Sequence, residues 1–182
     1  KEFAGHILKS GRHLLTLINE ILDLAKVEAG AVNLSLEPVA LGEVLGECRS
    51  MIEPIAAQRG IRVLFPDACT TVVEADRTRL KQVLLNLLSN AVKYNRDAGA
   101  VVVDMAFEVP GKVRVSVQDT GLGLRPDQLD MLFQPFNRLG QENSGQEGTG
   151  IGLVVTRRLV ELMNGAIGVS SSVGVGSVFW IE

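Results

Sequence analysis

The chain has 182 residues, 46% hydrophobic and 21% charged, with 18 Lys+Arg against 21 Asp+Glu. Such a composition builds one globular domain of ~100–200 residues plus a modest appendage, and excludes disorder. A small acidic excess and 4% aromatics leave neither a basic footprint nor a stacking platform for nucleic acid.

Residues 7–27 carry apolar side chains at helical spacing, with Ile7, Leu14 and Ile21 seven apart, Leu17 and Leu24 on the next row, and Leu8, Leu15, Ile18 and Leu22 widening the stripe. One helix with so wide a stripe needs several partners, as in a four-helix bundle, and Gly30 is its stop. Residues 32–36 alternate like a strand, and 41–59 read as an amphipathic helix closed by Gly60. Short apolar runs at 61–65 and 71–75 precede Asp76, an N-cap for a helix reaching Tyr94 with Leu80, Val83, Leu84, Leu87, Leu88 and Ala91 inward. Residues 101–108 and 112–119 predict a hairpin around Pro110-Gly111. A polar, glycine-rich stretch follows to Gly150, with a short helix after Pro126. A helix over 151–163 and strands at 166–170 and 177–181 close the chain. Irregular alternation of helices and strands predicts an α+β fold: a two-layer α/β sandwich with one mixed sheet and helices on one face.

Cys48 and Cys69 lack C-x-x-C spacing or a neighbouring histidine and read as bystander thiols of a reducing compartment. His6 and His13, two turns apart, are too few to ligate zinc and read as bundle-edge residues. No apolar run reaches ~18 residues and no signal core follows Lys1, so the expected location is cytoplasmic, with a membrane-anchored parent left open.

The 19 glycines concentrate in Asp119-Thr-Gly121-Leu-Gly123, Gly148-Thr-Gly150-Ile-Gly152 and Gly174-Val-Gly176-Ser177. Glycine admits positive φ and close approach of backbone N–H groups to phosphate, and a helix starting near Ile151 aims its positive end at the loop before it. Taken alone, any one cluster reads first as a tight turn, and none matches the P-loop, for want of Gly-Lys-Ser/Thr. Asn86, Asn90, Lys93 and Tyr94 share one face of the helix after Asp76, beside its apolar face. Amide oxygens suit Mg2+ and lysine suits phosphate, while capping of a neighbouring loop is the alternative for both amides.

The ordered motifs Asn86-Leu-Leu-Ser-Asn90-Ala-Val-Lys93-Tyr94, Asp119-Thr-Gly-Leu-Gly123, Phe133-Gln-Pro-Phe136, Gly148-Thr-Gly-Ile-Gly152-Leu153 and Gly174-Val-Gly176-Ser-Val-Phe179 resemble the N box, first glycine box, F box, second glycine box and final glycine motif of sensor histidine kinases. The resemblance covers about residues 32–182, and 11–30 resemble the second helix of that family's dimerisation and phosphotransfer bundle. It implies a Bergerat-type (GHKL) ATP-binding domain at 31–182, preceded at 1–30 by a bundle helix. It further implies that Asp119 accepts from the adenine amino group above Gly121 and Gly123, and that Tyr94 packs near the base. Asn90 would bind Mg2+ with Asn86 in support. Lys93 would steady the phosphates, and Gly148, Thr149, Gly150, Ile151, Gly152 and Leu153 would cradle them. Arg138 is a candidate for the γ-phosphate.

Implied partners are ATP, a phosphoacceptor helix outside this chain, a response regulator and, in the parent, a second copy. Related gyrase-type and chaperone ATPases place a water-activating glutamate where Asn86 stands, and an amide cannot be a general base. Neither His6 nor His13 has the His-Glu/Asp-x-x-x-Pro setting of the acceptor, so the chain alone is not expected to phosphorylate itself. Asn95 replaces a small hydroxyl residue of the family, with little consequence expected. The alternative function is a degenerate, non-catalytic nucleotide-binding or protein-interaction module of the same fold.

Overall fold

A computed structural model describes residues 11, 14–15, 17–19, 21–26, 28–31, 33–137 and 148–182. The described residues of the leading segment, from 11 to 28, are all helical (α1), and Gly30 follows at φ +65°. Then come β1 (Glu37–Ala40), α2 (Leu41–Ala57), β2 (Arg62–Leu64), β3 (Val72–Ala75), α3 (Arg77–Lys93), β4 (Ala100–Ala106), β5 (Arg114–Asp119), α4 (Pro126–Met131), α5 (Gly152–Leu162), β6 (Ile167–Ser172) and β7 (Gly176–Ile181).

Five strands form one mixed sheet in the order β2-β4-β5-β7-β6, with β2 parallel to β4 and the other pairs antiparallel. Alternation along the strands sorts the faces: Val101, Val103, Val115, Val117, Phe179 and Ile181 are buried, while Asp104 and Gln118 face outward. The buried face meets Val44, Cys48 and Ile52 of α2, Leu84, Leu87 and Leu88 of α3, and Val155 and Leu159 of α5 in one core. Helix α3 packs against both α2 and α5 and lies over β5, so a residue on its last turn is anchored from three sides. Its start is as the sequence predicts, with the Asp76 carboxylate accepting from the Arg79 N–H at 3.0 Å.

Two features differ from expectation. The strand predicted at 32–36 is displaced: among its described residues, 33–36 have no regular structure, and pairing starts at Glu37. The Ser35 N–H donates to the Asp76 carboxylate instead of to a ladder, and Leu36 is largely exposed, so the apolar alternation there was a surface pattern. Strand β3 does not join the main sheet. It pairs with β1 in a separate two-stranded ribbon.

Helix α1 touches the domain through buried Leu24 and through Gln82 Nε2, which donates to Asp23 Oδ2 at 3.1 Å. Leu14, Leu15, Ile18, Ile21 and Leu22 stay exposed. Cys48 is buried among apolar groups, and burial pushes its thiol up to about 11, an inert bystander as expected. His6 and His13 lie outside the described residues.

Candidate functional site

The site is built around the second half of α3. Its long apolar face locks the helix onto the sheet, which leaves Asn86, Asn90 and Lys93 aligned along the flank that faces α5 and the glycine loops. Asn86 is tied down: its Nδ2 donates to Thr156 Oγ1 of α5 at 2.7 Å, and a Cβ on Gly152 would stand 2.8 Å from its Oδ1. Asn90 is half-buried one turn on, and among the described residues its carboxamide has no hydrogen-bond partner. Lys93 sets its ammonium 4.7 Å from the Tyr94 ring centre, and a Cβ on Gly148 would strike Lys93 Nζ. The start of the second glycine box therefore lies directly against the lysine.

Asp119 ends β5 and is 6% exposed. Its Oδ1 accepts from the Gly121 N–H at 2.7 Å and the Ser177 N–H at 3.3 Å, while Oδ2 has no partner among the described residues. Burial raises its pKa above the ordinary 3.8, and the two backbone donors offset that only in part. The first glycine box is demanded by close approach. A Cβ on Gly121 would run into the Tyr94 carbonyl, and one on Gly123, at φ +69°, into the Ser172 carbonyl. In the final motif Gly176, at φ +132°, lies against the Asp119 carbonyl, whereas a Cβ on Gly174 would meet nothing and its N–H donates to the Leu122 carbonyl of the first glycine box at 2.7 Å.

In the second glycine box Gly150, at φ +73°, accepts through its carbonyl from the Phe136 N–H at 3.1 Å and so meets the F box. Phe136 itself has φ +64°. Thr149 Oγ1 accepts from the Ile151 N–H at 3.1 Å, Ile151 is fully buried, and half-buried Leu153 packs on the core, fixing the start of α5. Arg138 lies outside the described residues. Among the described residues no group of three or more His, Cys, Asp or Glu could hold a metal ion.

Three side chains escaped the sequence reading. Thr156, the partner of Asn86, sits on a helix whose pattern shows only an apolar stripe. Asn95 is a correction: it is 6% exposed, donates through Nδ2 to the Ala100 carbonyl at 2.9 Å, and accepts at Oδ1 from Thr120 Oγ1 at 3.1 Å. A buried amide directly after a helix stop needs partners, and that was the available signal. Arg59 donates to three carbonyls at the end of α3, a contact across more than thirty positions that no local pattern announces.

Five ordered motifs thus converge on one end of the sheet and the last turns of α3. The family described as "Histidine kinase-, DNA gyrase B-, and HSP90-like ATPase" matches residues 75–182, from the cap of α3 to the C-terminus. The chain belongs to this ATPase family. Among its relatives are the sensor protein GacS of Pseudomonas syringae pv. syringae, 39% identical over 100% of this chain and 21% of GacS, and the cell-division control histidine kinase PdhS of Brucella suis, 34% identical over 98% of this chain and 18% of PdhS. The chain spans about a fifth of the length of these relatives. The fold matches full-length ShkA in complex with AMPPNP (TM-score 0.84, 36% identity, 99% of this chain and 37% of ShkA). It also matches the histidine kinase ThkA in complex with the response regulator protein TrrA (TM-score 0.76, 28% identity, 100% of this chain and 50% of that chain). Within the ATPase family, then, the chain is similar to the catalytic domains of sensor histidine kinases, and its mixed sheet with helices on one face is the GHKL fold.

Proposed function

We propose that residues 31–182 bind ATP together with Mg2+ and transfer the γ-phosphoryl group to a histidine on a helix outside this chain, for relay to an aspartate of a response regulator. Residues 1–30 are read as one helix of the dimerisation bundle. The observation that carries the reading is the Asp119 carboxylate: one oxygen is saturated by backbone N–H groups and the other has no partner among the described residues, in a buried position near the Tyr94 carbonyl. That is an acceptor set for the amino group of a planar base. The AMPPNP held by ShkA and the response regulator held by ThkA point the same way.

Phosphoryl transfer asks the protein mainly for position and charge neutralisation. Lys93 supplies a point charge beside Gly148, and the eleven-residue α5 offers its positive end after the Gly148–Gly152 loop. The Asn90 carboxamide is a hard oxygen donor with no partner among the described residues, which fits Mg2+ held by one amide and the phosphates. When bound, that ion would neutralise phosphate charge. Asn86, bonded to Thr156, holds the start of α5 against α3 and provides no base to activate water. In the transfer the bond from the γ-phosphorus to the bridging oxygen breaks, a P–N bond to the imidazole forms, and ADP leaves.

Titration of ATP with and without Mg2+ into the wild type, Asp119→Ala and Asn90→Ala tests the reading. Affinity is expected to require Mg2+, to fall at least about tenfold in Asp119→Ala, and to lose its Mg2+ dependence in Asn90→Ala. No binding, or binding indifferent to both changes, would favour the non-catalytic module.

A further inference from the structure

The end of α3 is held by a clamp that no motif of the ATP site contains. Arg59, in the turn just after α2, donates through Nη1 to the carbonyls of Val92 (2.6 Å) and Lys93 (2.9 Å), and through Nη2 to the carbonyl of Asn95 (2.8 Å). Asp97 Oδ1 accepts from its Nη2 and Nε at 3.1 and 3.3 Å, which fixes the guanidinium plane. The last carbonyls of a helix have no intrahelical donor and carry the negative end of its dipole, so a planar cation with several donors matches them in charge and in geometry. From the same turn Asn95 reaches the other way. Its Oδ1 accepts from Thr120 Oγ1, its Nδ2 donates to the Ala100 carbonyl, and Thr120 Oγ1 in turn accepts from the Ala100 N–H at 2.9 Å. A Cβ on Gly99 would fall within 2.8 Å of Thr120 Oγ1 and closer still to Asn95 Oδ1, so the chain leaves no room to loosen this network.

The two halves of the nucleotide site meet here. Lys93 and Tyr94 stand on one side and Asp119-Thr120-Gly121 on the other, with the Tyr94 carbonyl pressed against Gly121. We propose that Arg59, acting through the α3 terminus and Asn95, is a positioning residue for nucleotide binding, setting Lys93 and Tyr94 against the Asp119 loop. This rests on the reading of the site given above. Arg59 touches no part of a bound nucleotide in this scheme. Without it the last turn of α3 frays and the lysine loses its fixed place beside Gly148.

The test is ATP affinity in the presence of Mg2+, measured on the 182-residue chain well below the Tm of each variant, for Arg59→Ala, Arg59→Lys, Lys93→Ala and the Arg59→Ala/Lys93→Ala double variant. Arg59→Ala is expected to weaken ATP binding about tenfold, as for loss of a charge-assisted hydrogen-bond set. Arg59→Lys keeps the stem and charge but cannot reach three carbonyls at once, so it folds and still loses several-fold. In the cycle, Lys93→Ala is expected to cost less than about twofold once Arg59 is gone, since coupled residues are non-additive. A purely structural role lowers Tm but leaves affinity unchanged, and either that result or an additive cycle overturns the proposal. Should Arg59→Ala fail to fold, wild-type affinity in Arg59→Lys overturns it equally. Tight wild-type binding that is lost in Asp119→Ala but kept in both Arg59 variants sinks the clamp alone; absent wild-type binding sinks the site reading and the clamp together.

Discussion

Asp119 is costly to the free protein. Its carboxylate is buried with two N–H donors on one oxygen and no counter-charge within its hydrogen-bond set, and its pKa is raised because burial outweighs those donors. A raised acid pKa means that ionisation opposes folding, so the group's contribution is most favourable below pH 4 and is lost as pH rises through the folded value. Asp119→Asn removes the charge yet leaves Oδ1 to accept from Gly121 and Ser177. At the other position it puts an NH2 donor where Oδ2 was an acceptor, facing the place proposed for the amino group of the base. The expected result is a Tm at pH 7 higher by ~2 °C, together with ATP affinity at least about tenfold lower. Differential scanning calorimetry and titration on the same sample check both, and a variant that loses stability along with affinity contradicts the account. Such a residue, destabilising to the free protein, marks a site that the fold alone does not explain.

Among the elements, α3 carries most of the site, and its register is set at the end remote from the chemistry. Asp76 caps it, with Oδ1 accepting from Arg79 and Oδ2 from Ser35. Burial pushes this carboxyl up, but the Arg79 and Ser35 N–H groups prevail and its pKa lies below the ordinary 3.8. A depressed acid pKa stabilises above the unfolded value, and the benefit is lost as pH falls through the folded one. Asp76→Ala is therefore expected to cost about 1–2 kcal/mol at pH 7, or ~2–8 °C in Tm, with the gap to wild type closing toward pH 3. Thermal melts at the two pH values measure this; a gap independent of pH would show that the cap does not act through its charge. The cap, the apolar face and the Asn86–Lys93 spacing were all legible from sequence, because each depends on neighbours within a few positions. Two things were not. The β1–β3 ribbon joins Glu37 to Ala75, and the Arg59 clamp joins residues over thirty apart, so both are decided by packing that no local period encodes. For Asn95 the amide after the helix stop signalled a need for partners, but not which ones, since Ala100 and Thr120 belong to strand ends beyond the stop.

At the scale of the molecule the chain is a closed domain with an open helix. The sheet and α2, α3 and α5 bury a common core, whereas α1 spends Leu24 on that core and leaves Leu14, Leu15, Ile18, Ile21 and Leu22 in water. Residues 15, 18 and 22 repeat at helical spacing along one stripe, and a stripe of that width on a soluble chain is unfavourable until it is covered. The proposed cover is a second copy, in keeping with the proposal that residues 1–30 form one helix of a dimerisation bundle. Because Asp23 and Leu24 fasten the other side of α1 to the domain, the exposed stripe can be changed without disturbing the core or α3. The triple variant Leu15→Gln, Ile18→Gln, Leu22→Gln is thus expected to remain monomeric in sedimentation velocity at concentrations where the wild type associates. Its ATP affinity and the melting of its sheet should stay within error of wild type, since the substitutions leave the Asp23–Gln82 bond and buried Leu24 in place. Equal association of the two proteins would mean that the copies meet through another surface, and a drop in ATP affinity would mean that α1 supports the site and not only the assembly.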